Sequence, residues 1–91
     1  MLIEWSDEAR ADLREILSYI ADRNLLAASD LYARIEQATS HLPQHPYLYK
    51  QSDRVPRARE IVVHPNYVIY YRVTQVAIEI LAVVHSRRDY P

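Results

Sequence analysis

Apolar side chains recur at Ala9, Leu13, Ile16, Leu17 and Ile20, and those steps trace one face of a helix. Arg10, Arg14, Ser18 and Asp22 hold the opposite face. Ser6 offers a hydroxyl N-cap, and Asp7 and Glu8 fall in the first turn, where acids suit the helix dipole. The pattern predicts a helix over about residues 7–22. Arg23 and Asn24 break it, and Asn24 can cap a second helix. There Leu31, Ile35, Ala38 and Leu42 hold one face, with Tyr32 beside it, and Pro43 marks the stop. So short a connection makes the pair an antiparallel helical hairpin. Each stripe is too narrow for a fully buried helix, so the pair must lie on something flat.

Elsewhere the pattern is that of strands. Residues 1–5 read as a short strand. After an irregular stretch over 43–57 with three prolines, β-rich runs follow at 59–63, 66–73 and 76–85. Only His64-Pro65 and Thr74-Gln75 separate the three, which implies antiparallel hairpins. In the last run Val76, Ile78, Ile80, Ala82 and Val84 form one apolar face, expected under the helices. The other face, with Ala77, Glu79, Leu81, Val83 and His85, is expected to look toward solvent or a ligand. The order is β-α-α-β-β-β, an α+β domain with a helical hairpin packed on one face of a mainly antiparallel four-stranded sheet. The last run is the longest and most apolar, which makes it central, with the N-terminal strand beside it.

Composition narrows the chemistry. The 91 residues and 10.7 kDa suit one domain spanning 1–91, with stability of order 5–14 kcal/mol. Glycine is absent, where about six would be usual. That excludes a Walker loop, a Rossmann fingerprint and a nucleophile elbow. Cysteine is absent too, which excludes disulfides, cysteine nucleophiles, iron–sulfur clusters and zinc fingers. No run approaches a membrane span and the first residues lack a signal-peptide layout, so a cytoplasmic protein is expected. Residues 1–49 carry a net charge of −4 and residues 50–91 a net +3. This asymmetry suits a surface that meets an anion, or is ordinary scatter of solvated charges.

His41 and His45 flank Pro43 with no carboxylate placed to complete a metal site, so no metal and no cofactor are expected. The basic and aromatic residues of the back half say more. Arg54, Arg57 and Arg59 lead into a strand, Arg72 sits in the next, and Arg87 and Arg88 follow the last. Arginine grips phosphate or carboxylate through paired hydrogen bonds. Tyr67, Tyr70, Tyr71 and Tyr90 can stack on bases or anchor a protein partner. The plain alternative is that Tyr70 and Tyr71 fill opposite faces of the sheet while the arginines solubilise the surface or pair with the acidic helices.

The element order, the opening EWSDEARADLREILSYIADRN, the strand pair REIVVHPNYVIYYRV and the ending IEILAVVHSRRDYP resemble the RelE/ParE toxin superfamily of type II toxin–antitoxin systems. The resemblance covers nearly the whole chain. Its most specific part is an Arg-Glu-apolar strand, an N-Y-x-x-x-Y-R-V strand and a strand ending V-x-H-x-R-R-D, in that order. One departure is the missing glycine before the tyrosine, where His64-Pro65-Asn66 makes the turn.

The resemblance implies neutralisation by a cognate antitoxin in a hetero-oligomer. It also implies one of two targets: DNA gyrase for ParE-like members, or mRNA in the ribosomal A site for RelE-like nucleases. Metal-free RNA cleavage needs a base, an acid and cations around the phosphorane. For a nuclease the resemblance nominates Arg59, Arg87, Tyr90 and His85. But Ile61 and Val68 stand where the RelE branch is basic. The expectation is therefore a ParE-like gyrase poison, with Arg57, Arg59, Arg72, Arg87 and Arg88 as target-binding residues. A small basic-faced adaptor or nucleic-acid-binding module is the reading from outside the toxins.

Overall fold

The computed structural model describes residues 1–87. Six elements follow one another: β1 (Leu2–Trp5), α1 (Asp7–Ala21), α2 (Leu25–Ser40), β2 (Arg59–His64), β3 (Tyr67–Val73) and β4 (Ala77–His85). Ser6 and Asn24 cap the helices as expected. Ser6 Oγ accepts from Ala9 N at 3.0 Å and Asn24 Oδ1 from Ala27 N at 3.1 Å. α2 ends two residues before Leu42. Thr39 Oγ1 bonds back to Ile35 O at 2.9 Å, and the backbone tightens so that Leu42 N reaches Thr39 O at 3.1 Å. Leu42 is nonetheless fully buried, because that turn still aims it at the core.

The sheet order is β1-β4-β3-β2. β4 is central, with β1 parallel and β3 antiparallel beside it. β1 ends the sheet at one side because the helical hairpin carries the chain across to β2 at the other. The core lies between sheet and helices, where Leu31, Ile35 and Leu42 meet Ile61, Ile69, Tyr71, Ile78, Ile80 and Val83.

One expectation about faces is corrected. Ile78 and Ile80 do lie under the helices, but Tyr71 pairs with Ile80 and Tyr70 with Ala82, so Leu81 is an extra residue. This bulge shifts the alternation by one. Val83, not Ala82 or Val84, carries the core face onward. The cause is the early end of β1. Beyond Trp5 the free side of β4 is closed by α1 and its cap. Ser6 N donates to Ile80 O at 3.0 Å, Ser6 Oγ donates to Leu81 O at 3.1 Å, and Asp12 Oδ2 accepts from Val83 N at 3.0 Å. Asp12→Ala strands the Val83 N–H and is expected to cost about 1–3 kcal/mol in urea denaturation, with Asp12→Asn retaining most of the stability. Equal losses in both variants would contradict this role.

Tyr70 and Tyr71 are the sheet filler of the plainer expectation, buried on opposite faces. Burial pushes both phenols above the ordinary value. For Tyr70 the Glu60 carboxylate adds to the rise and Arg54 opposes it. For Tyr71 the Tyr49 backbone and Arg59 oppose it. A raised folded-state value leaves the stability intact below about pH 10, where free tyrosine ionises, and erodes it as pH rises through the folded values. In an absorbance titration of the folded chain, two of the eight tyrosines should ionise late. Uniform ionisation near the free value would contradict the burial.

Candidate functional site

Three rings meet at the end of the sheet where β2 and β4 finish and β3 starts. His64 and Tyr67 are register partners, as are Tyr67 and His85, so all three stand on the helix-side face. Their centroids are 5.9 Å apart for His64–Tyr67 and 5.2 Å for Tyr67–His85. A second bulge, between Val62 and His64, brings His64 opposite Tyr67 while Val63 stays in the core.

Both imidazoles are held alike. His64 Nδ1 accepts from Asn66 N at 3.0 Å, and His85 Nδ1 accepts from Arg87 N at 3.2 Å. Each neutral ring therefore carries its proton on Nε2. Ser86 ties the β2–β3 turn to the end of β4, donating from N to Asn66 O and from Oγ to Pro65 O, both at 2.7 Å. The result is two Nε2–H donors flanking a phenol, with exposed Arg87 beside His85. Such a set can hold an anionic oxygen, and an imidazole or phenol can exchange a proton there.

Of the residues nominated from the sequence, His85 and Arg87 belong to this cluster. Arg88 and Tyr90 lie outside the described residues. The remaining arginines are elsewhere. Arg59 starts β2, five residues from His64, which is roughly 16 Å of strand. Its Nη1 donates to Tyr49 O at 2.7 Å, and its guanidinium lies 5.0 Å from the Tyr47 ring centroid. Arg72 grips Glu79 Oε1 through Nε at 3.3 Å and Nη2 at 3.1 Å across the β3–β4 pair. Arg57 is exposed, with φ of 62°. Arg57, Arg59 and Arg72 are thus not gathered with Arg87.

Ile61 and Val68, where the RelE branch is basic, are buried at 2% and 8% exposure. From the sequence His64 has no assigned role, and Tyr67 stands only among the tyrosines able to stack on bases or anchor a partner. The turn expected at His64-Pro65 is Pro65-Asn66 in the structure, which makes His64 the last residue of β2 and sets it opposite Tyr67. Among the described residues no three His, Cys, Asp or Glu side chains are grouped to hold a metal, and no helix is long and apolar enough to cross a membrane.

The chain's resemblances to known proteins agree with this architecture. A family model described as the ParE toxin of the type II toxin–antitoxin system parDE matches residues 3–90. The toxin RelE2 of Caulobacter vibrioides is 34% identical over 88 residues, which span 94% of this chain and 96% of that one. Among solved structures, the chromosomal ParDE system of P. aeruginosa superposes with a TM-score of 0.80 at 22% identity, over 93% of this chain and 95% of that one. The DinJ–YafQ complex of E. coli gives a TM-score of 0.61 at 14% identity, over 91% and 90%. At those identities the structures speak for the fold, whereas the family model speaks for descent. The chain belongs to the ParE toxin family of type II toxin–antitoxin systems.

Proposed function

We propose that this toxin acts in the cytoplasm as a ParE-like poison of DNA gyrase, with a cognate antitoxin holding it inactive in a hetero-oligomer. The observation that carries the choice of target is the burial of Ile61 and Val68. Two positions that would supply cations to a nuclease instead supply packing. Arg59, a third, is already bonded to Tyr49 and stacked near Tyr47. A phosphorane formed here would lack much of the charge that stabilises it.

Purified protein added to supercoiled plasmid, gyrase and ATP should yield cleaved, gyrase-linked DNA. Exposed Arg87 is the proposed contact, and Arg87→Ala should weaken cleavage while changing stability by under about 0.5 kcal/mol. His85→Ala and Tyr90→Phe should leave gyrase poisoning intact.

A second reading rests on the His64–Tyr67–His85 cluster. In it the protein is a ribosome-dependent mRNA endonuclease, with His85 or Tyr90 handling protons and Arg87 holding the phosphate, while Arg59, at the far end of β2, could meet only a more distant part of the strand. Codon-dependent cuts on translating ribosomes, lost in His85→Ala and without any effect on gyrase, would establish that reading and overturn the first.

The antitoxin partner is supported by the ParDE and DinJ–YafQ assemblies. Its proposed seat is the outer surface of the helical hairpin together with the edge of β2 beyond Glu60, past the pairing of Arg59 and Glu60 with residues 50 and 51. A shallow groove of about 340 Å³ runs there between α2 and β2, lined by Arg34, His41, Tyr49 and Val62. Expression of the toxin alone should arrest growth, and co-expression with its antitoxin should restore it. Normal growth with confirmed soluble toxin would contradict this.

A further inference from the structure

The segment between α2 and β2 has no regular structure, yet it is firmly fixed. Tyr71 donates its hydroxyl to Pro46 O at 2.9 Å, and Tyr49 donates its own to Ala38 O at 3.1 Å. Ser52 N reaches Ala58 O at 2.8 Å, and Ser52 Oγ accepts from Arg54 N and Val55 N, both at 3.0 Å. Glu60 N reaches Lys50 O at 3.0 Å, which closes the base of a small loop whose tip is residues 53–57. An anchored loop of this kind can present a surface without an ordering cost on binding.

What it presents is aromatic and basic. Tyr47 is 65% exposed and Leu48 54%. The Arg59 guanidinium lies over the Tyr47 ring, held there by its bond to Tyr49 O. Arg54, whose side chain is hydrogen-bonded to Tyr70, and Arg57 are both exposed at the loop tip. Lys50 is 67% exposed at its side chain and pairs loosely with Glu60 at 3.4 Å. Residues 47–60 carry four basic side chains against Asp53 and Glu60.

We infer that this loop is a contact site for single-stranded nucleic acid. One base stacks on the open face of Tyr47 while Arg54, Arg57 and Lys50 take adjacent phosphates. The chemistry argues for a strand over an acidic peptide. A tyrosine backed by a fixed guanidinium is a platform for a planar π-system, and any base can use it. An acidic peptide would use the cations and leave the ring idle. The site is separate from the His64–Tyr67–His85 cluster, and its existence does not depend on which target the toxin poisons.

The test is fluorescence anisotropy of a short labelled single strand, in DNA and RNA forms, titrated with the purified full chain. Binding should weaken with salt, with a slope of about −0.7 for each phosphate neutralised. Tyr47→Ala should weaken it roughly five- to a hundred-fold, while Tyr47→Phe stays within about two-fold of the parent. Arg57→Gly suits the left-handed backbone and should lower the salt slope by about 0.7. Arg10→Ala, on α1, should change neither affinity nor slope. Two results would overturn the inference: Tyr47→Ala binding as tightly as the parent, or a polyglutamate of matched charge displacing the strand at equal concentration. The second would assign the loop to an acidic protein partner instead.

Discussion

Tyr71→Ala should cost about 3–5 kcal/mol, the usual range for deleting a buried aromatic side chain. Against a total of roughly 5–14 kcal/mol for a chain of this size, that is enough to unfold much of the population on mild warming. The side chain is 0% exposed and sits centrally between Arg59 of β2 and Ile80 of β4. Its ring meets Tyr49 edge-on at 6.3 Å between centroids, and its hydroxyl holds Pro46 O. The substitution therefore opens a cavity and releases the loop together. Tyr71→Phe keeps the ring and loses only the hydroxyl bond, at about 0.5–1.5 kcal/mol. Urea denaturation separates the two, and a Tyr71→Ala midpoint close to the Phe variant's would contradict the cavity argument.

Arg59→Ala should cost about 2–4 kcal/mol, combining a charged hydrogen bond to a part-buried carbonyl with a cation–π contact. Arg72→Ala should cost under about 1 kcal/mol, because its partner Glu79 is solvated and the pair is screened. The contrast matters because both arginines are candidates for target binding. Loss of the Arg59 anchor should also expose residues 47–58 to protease. An Arg59→Ala protein as stable as the parent, but without toxicity, would show that Arg59 serves the target and not the loop.

The helices were legible because their determinants are local. Apolar spacing at three and four, together with Ser6 and Asn24 as caps, needs no distant partner. The strand order was nearly as legible, since connections of two and three residues leave β2, β3 and β4 little choice but antiparallel neighbours. The faces of β4 were less so. Strict alternation put Ala82 and Val84 in the core, but the bulge at Leu81 exists only because β1 stops short and Asp12 captures the Val83 N–H from 71 residues away.

The candidate site divides in the same manner. Arg87 and His85 were visible as the polar end of an apolar strand, and their adjacency in sequence guaranteed adjacency in space. The grouping of His64 and Tyr67 with His85 required the register of two strand pairs and a bulge. Arg59 looked from its sequence neighbours like one cation among several in a basic patch. Only the fold supplied Tyr49 O and the Tyr47 ring to hold it, and only the fold set it about five strand residues from the histidines. The elements, their order and the family can be read along the chain, because periodicity, caps and motifs act over short separations. Which charges meet is set on folding, because it depends on where the sheet register and an anchored loop place residues that the chain keeps far apart.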